Sequence, residues 1–134
     1  MKGYNGFTGE QRIAAQKWLN QQWDAGLLPK PTQCHACGQT KGRIDAHAED
    51  YSIPYAAGKT DQYHLCFRCH MMVHCRFRNK AAWKLYIDCI ASGIIYSATS
   101  SYTRLCYEHF DGGKPVIQSV SLPHNNNILN VLKT

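Results

Sequence analysis

Apolar positions near the N-terminus recur at roughly helical spacing, through Ile13, Ala14, Ala15, Trp18, Leu19 and Trp23. They predict a helix of about four turns that starts near Gly9, with Thr8 as its cap, Gln11 as the reciprocal half of a capping box and Gly26 as its stop. Arg12 and Lys17 on this helix could serve a DNA-contacting or partner-binding arm, but covering a small core is its simpler role. Ile44-Asp45-Ala46-His47 alternates as a strand does and would put Asp45 and His47 on one face. The segment from 49 to 63 holds Pro54, Gly58 and many polar groups, so it reads as a loop returning to a second strand around Gln62 to Leu65.

A helix should then start near the Cys66 to Cys69 segment and carry His70 and His74 on one face, because four residues is close to one turn. Ala82, Leu85, Tyr86, Cys89 and Ile90 fall on one stripe and predict a packing helix, capped by Asn79, running through Ser92 and stopped by Gly93. Trp83 and Lys84 lie off that stripe and are expected to be exposed. From Ile94 onward, Ser97 to Ser101, Glu108, Asp111 and Gly112-Gly113 break the chain into short pieces. Pro115 to Leu122 looks like a strand, followed by a polar Asn125-Asn126-Asn127 turn and a short apolar tail. No internal repeat appears.

At 134 residues the chain is long enough for one domain and short for two. The expected plan is a single α+β domain with an N-terminal helical arm (1–31), a core (34–78), a packing helix (79–93) and a short β-rich C-terminal extension (94–134). Lys and Arg outnumber Asp and Glu by 15 to 9, a formal charge of +6 that favours a polyanionic partner such as nucleic acid. No apolar run approaches the roughly 20 residues of a membrane span, and residues 1–6 lack the apolar core of a signal peptide. The expectation is a soluble, cytoplasmic protein, where thiols stay reduced and paired cysteines read better as metal ligands than as disulfides. Nothing in the sequence sets an oligomeric state, and a homodimer stays open.

The chemistry concentrates between Cys34 and His74. Cys34-His35-Ala36-Cys37 and Cys66-Phe67-Arg68-Cys69 are two Cys-x-x-Cys pairs, each a tight knuckle that can present both sulfurs to one ion. Four such thiolates suit a closed, structural, tetrahedral zinc site. His35 and His64 flank the knuckles and read as surface groups or supporting partners; Cys75, Cys89 and Cys106 read as ordinary thiols, with Cys75 near enough to compete for metal.

A knuckle, a strand ending in His, a loop, and a second knuckle running into His on a helix resembles the HNH endonuclease family, with its ββα-metal fold, over about residues 34–78. Leu65-Cys66-Phe67-Arg68-Cys69-His70 is similar to the family's Leu-Cys-x-x-Cys-His ending. Ala46-His47-Ala48-Glu49-Asp50-Tyr51 resembles an Ala-His-His-x-Asp-Tyr variant of the first His motif. The resemblance implies a zinc-stabilised ββα core that hydrolyses phosphodiester bonds in DNA. It implies His47 as general base, His70 on a catalytic divalent cation such as Mg²⁺, Asp45 or His74 as further ligands, and Asp61 in place of the family's middle Asn.

Arg68, Arg76, Arg78 and Lys80 cluster on and after the site helix and are expected to hold the nucleic-acid backbone without reading bases. A rival reading from another class takes the same residues as a catalytically silent zinc module that binds DNA or a protein partner. Ala48, standing where the His-His variant has its second His, favours it. A weaker option is a basic zinc-knuckle RNA binder, for which no aromatic stacking surface is evident.

Overall fold

Thr8 opens the first helix as the sequence predicts: its Oγ1 accepts from the Gln11 amide at 3.1 Å, and the Gln11 carboxamide oxygen accepts from the Thr8 amide at 2.8 Å. In a computed structural model, which describes residues 1–122 and 128–132, the elements are α1 (Gly9–Asp24), β1 (Ile44–His47), β2 (Tyr63–Cys66), α2 (Phe67–Cys75), α3 (Lys80–Ala91), β3 (Ile94–Tyr96), α4 (Tyr102–His109), β4 (Ile117–Val120) and a 3₁₀ turn, Ile128–Leu132. The mixture of helices with two small sheets, β1 with β2 and β3 with β4, is the expected α+β class. The polar turn expected at 125–127 lies outside the described residues. The chain divides into two compact units, one of Met1–Pro31 with Ala46–His64, the other of Thr32–Asp45 with Leu65–Thr134.

In the first unit α1 buries Ala15 and Leu19, while Ile13 stays half exposed. A small N-terminal turn is closed by reciprocal backbone hydrogen bonds between Tyr4 and Phe7. The Arg12 guanidinium lies 5.3 Å from both the Tyr4 and Tyr51 ring centres and donates to the Lys2 carbonyl, so this charge is held in an aromatic clamp within its own unit. The loop after β1 is braced from within. Lys59 donates to the Ser52 and Pro54 carbonyls, and Asp61 accepts from the Gly58 amide at 2.8 Å.

The second unit is built on α2 and α3. The caps of α3 are the expected ones: Asn79 accepts from the Ala82 amide, and Ser92 and Gly93 end the helix. Its buried stripe is rotated from the predicted one. Trp83, Tyr86, Ile87 and Ile90 are buried, Lys84 is exposed, and Leu85 is 66% exposed. Both stripes have helical spacing and share Tyr86 and Ile90; α3 turns the one with the larger side chains inward, because an indole and an isoleucine bury more apolar surface than Leu85 with Ala82.

Two further elements emerge where the sequence suggested only short pieces. β3 pairs antiparallel with β4, Ile94 opposite Val120 and Ile95 opposite Ser119, with an irregularity before Tyr96 opposite Ile117. Gly93 makes this pairing possible. Its φ is +97°, and a Cβ there would sit 2.3 Å from the Ser121 carbonyl oxygen, whose own amide bonds back to the Gly93 carbonyl. α4 is capped by Ser101, which accepts from the Arg104 amide, and turns Leu105 and Glu108 inward.

Candidate metal centre

Cys34, Cys37, Cys66 and Cys69 all belong to the second unit and are all buried. Their sulfurs lie within 4.8 Å of one another, and none is in a disulfide. The first pair sits in a turn closed by the Gly38 amide on the Cys34 carbonyl and the Cys34 amide on the Gln39 carbonyl, both at 2.9 Å. The second pair straddles the start of α2, where Cys66 is the N-cap. In each pair the amide of the second cysteine donates to the sulfur of the first, Cys37 to Cys34 at 3.5 Å and Cys69 to Cys66 at 3.4 Å. Such N–H groups disperse thiolate charge.

The fit to an ion can be checked across the knuckles. Cys37 Sγ and Cys66 Sγ are 3.8 Å apart. Metal–sulfur bonds of about 2.3 Å at tetrahedral angles give an edge of about 3.8 Å. Electrostatics agree. Hydrogen bonds from Cys37, Cys66 and Cys69 hold the Cys34 thiol well below its ordinary value. Hydrogen bonding to Cys34 first, then to Cys37, drives Cys66 well above it, and burial does the same for Cys69. Without a cation the four sulfurs therefore share negative charge that they cannot all carry, and a divalent ion removes that conflict. The group is a site that can hold a metal ion.

One supporting partner escaped sequence reading. The Tyr86 hydroxyl on α3 is 3.0 Å from Cys69 Sγ. Burial pushes the phenol well above its usual range, so it stays protonated and can donate to this sulfur when the sulfur is a metal-bound thiolate. Helical periodicity marks Tyr86 as a core residue, with no hint that its oxygen reaches a sulfur.

Asp45, His70 and His74 also come together in the second unit. His70 Nδ1 is 2.9 Å from Asp45 Oδ2, and His70 Nε2 is 3.1 Å from His74 Nε2. Arg43 Nε holds the other Asp45 oxygen at 2.7 Å. Burial raises the Asp45 pKa, but hydrogen bonds from His70 and Arg43 outweigh it and leave the carboxyl below its usual value. As a carboxylate it accepts from His70 Nδ1–H, which fixes the tautomer with its lone pair on Nε2, beside His74. Two imidazole nitrogens 3.1 Å apart can both bind one ion at about 2.1 Å with an angle of about 95°, the neighbouring-ligand geometry of an octahedral cation. Asp45, expected as a possible ligand, holds Arg43 with one oxygen and His70 with the other, and so orients the His70 ring.

His47 and Asp61 belong to the first unit. His47 is buried at 1% exposure, with Nε2 2.5 Å from Glu49 Oε2, the same oxygen that receives the Tyr4 hydroxyl at 2.5 Å. The Tyr4 ring meets His47 edge-on and the Tyr63 ring stacks on it. Glu49 and Tyr4 are therefore part of the His47 environment that the sequence reading missed; the His-x-Glu spacing on and just after a strand was the available signal. Asp61 holds the Gly58 amide and lies 4.0 Å from His64 Nε2, a bracing position in the loop.

The expected basic patch is corrected in two places. Arg68 is 3% exposed: it donates to Glu108 at 2.6 Å and to the Ser97 carbonyl, and lies over the Tyr96 ring. Arg76 is 4% exposed, donating to the Val73 carbonyl and stacking on Phe77. Both are structural: Arg68, on α2, and Arg76, at its C-cap, are buried in the core, where an arginine needs a carboxylate or carbonyl partner. Arg78 is exposed but bonded to Cys75 Sγ and the Tyr102 hydroxyl, and Lys80 is exposed. Among the described residues no helix is long and apolar enough to cross a membrane. Comparisons with protein-family models, curated proteins and solved structures found no significant match.

Proposed function

We propose that this chain is a metal-dependent endonuclease of the HNH type that hydrolyses phosphodiester bonds in DNA, on a core braced by zinc at the four cysteines. The observation that carries the reading is the pair of facing nitrogens on α2, His70 Nε2 and His74 Nε2, with Asp45 on the far side of His70. A carboxylate that fixes one ring nitrogen so that the other meets a cation is the arrangement expected of a metal-binding histidine. When bound there, a divalent cation such as Mg²⁺ supplies positive charge that polarises the scissile phosphate and stabilises the leaving oxygen.

His47 is the proposed general base, taking the proton of the attacking water. Glu49 holds its ring by Nε2, and Tyr4 holds Glu49, a base-plus-orienter pairing. Asp45 acts as a positioning residue for His70, and Asp61 braces the loop that carries the chain from β1 to β2. A second reading keeps the zinc core and removes the chemistry. Ala48 is buried at 2% exposure and offers no titratable group where the His-His variant of the motif has one, as a silent DNA- or protein-binding module would.

Supercoiled plasmid incubated with the protein and Mg²⁺, Mn²⁺ or Ni²⁺ separates the two. The nuclease reading expects nicked and linear products, reduced about 100-fold by His47→Ala. No cutting under any of these metals, or equal cutting by the variant, sinks it in favour of the silent module. Zinc as the structural ion is tested by metal analysis, which should find one tightly held zinc, lost together with folding in Cys34→Ser or Cys66→Ser.

A further inference from the structure

Next to the four-cysteine centre, within the second unit, lies a shallow surface hollow lined by Lys41, Arg43, Ser97 and Thr99 together with Phe67 and Tyr96. Lys41 and Arg43 belong to a short, exposed basic turn, Lys41-Gly42-Arg43. The structure pins this turn at three points. Buried Gln39 accepts the Thr40 and Lys41 amides on its carboxamide oxygen, at 3.0 and 2.9 Å, while its nitrogen donates to the Tyr96 carbonyl and to Gln118. The Arg43 carbonyl accepts from the Phe67 amide at 3.1 Å. Gly42, at φ +70°, lets the turn approach the 97–99 segment so closely that a Cβ would stand 3.1 Å from Ala98 Cβ.

A turn held this firmly, with its two cations still facing solvent, has already lost the conformational freedom that binding would otherwise cost. The charges around it leave room for an anion. Asp45 answers Arg43, and Glu108 is shared between Arg68 and Arg104, but Lys41 has no ion pair among the described residues. The Arg43 side chain is 56% exposed, and its guanidinium lies 5.3 Å from the Phe67 ring centre, with Nε on Asp45.

We infer that Lys41 and Arg43, with the Ser97 and Thr99 hydroxyls, form a phosphate-binding site for the sugar-phosphate backbone of a nucleic acid. The inference rests on the reading of nucleic acid as the partner, not on cleavage. This hollow takes over the role expected of Arg68 and Arg76.

The same cations could instead serve only as counter-charges to a loaded tetrathiolate centre, which carries a net double negative charge, and the test separates the two. Binding of a short fluorescent duplex DNA is measured by anisotropy from 50 to 200 mM salt with no added divalent cation, for zinc-loaded wild type, Lys41→Ala/Arg43→Ala and the charge-preserving Lys41→Arg. The double variant should weaken binding at least tenfold at 100 mM salt and lower the slope of log K against log salt by up to about 1.8, with unchanged zinc content, while Lys41→Arg binds as wild type does. Unchanged affinity and slope in the double variant, zinc loss without a change in slope, or no DNA binding by wild type would each overturn the inference. DNA binding that depends on these two residues in a protein that never cuts DNA supports the inference and sinks the nuclease reading alone.

Discussion

The Tyr86 hydroxyl stands 3.0 Å from Cys69 Sγ, a hydrogen bond between a helix that contributes no ligand and the most deeply buried sulfur of the metal centre. Removing only that oxygen tests how far α3 supports the site. Tyr86→Phe should keep the fold but weaken metal binding at the four cysteines about tenfold, read by chelator competition with zinc as the added ion, because partners that stabilise a ligand thiolate typically carry effects of about 10- to 100-fold. An affinity equal to that of wild type would show that the contact is packing alone.

Arg68 and Glu108 should matter to stability and not to DNA contact. Both are nearly fully buried, and Glu108 bridges Arg68 and Arg104. Glu108→Gln leaves a buried guanidinium without its counter-charge and should cost about 3 kcal/mol in denaturant unfolding. Lys80→Ala, at an exposed position, should change stability by less than about 0.5 kcal/mol. Equal effects from the two substitutions would refute the structural assignment of Arg68.

The stability of the protein should fall on mild acidification because of His109. Burial, then the Arg68 charge at 3.0 Å, lowers its pKa from 6.5 to about 4, with Glu108 opposing, and the rings of Tyr86 and Tyr96 lie edge-on to it. Between these two values the unfolded chain binds more protons than the folded one, so stability drops as pH falls through that window. Below it, protonation of Asp45 and Glu108, whose carboxyls are both held below their usual range, removes more. Unfolding midpoints measured at equal zinc content from pH 7 to 4.5 should fall more steeply for wild type than for His109→Gln. Parallel curves would contradict the assignment.

The rotation of α3 has its own test. Trp83→Ala should destabilise by about 3 kcal/mol or more, and Leu85→Ala hardly at all, since the first empties a core position and the second trims an exposed side chain. The opposite order in thermal unfolding would restore the stripe read from the sequence.

What the sequence by itself determined is local. The capping box of Thr8 and Gln11, the Asn79 cap, the bounds of β1 and the two Cys-x-x-Cys knuckles follow from residues a few positions apart, and the structure keeps each of them. The spacing of His70 and His74 likewise foretold two imidazoles on one side of α2. Tertiary structure alone decided which face of α3 turns inward, that Asp45 engages His70 from 25 positions away, and that Arg68 meets Glu108 from 40. It also decided that Tyr86 reaches a sulfur and that Gln39 pins the basic turn to β3. Periodicity and capping depend on backbone geometry that a short segment carries with it. The partner of a charged or hydroxyl group depends on which distant element packs against it, and packing selects that element by buried area and charge compensation, quantities that no local pattern encodes.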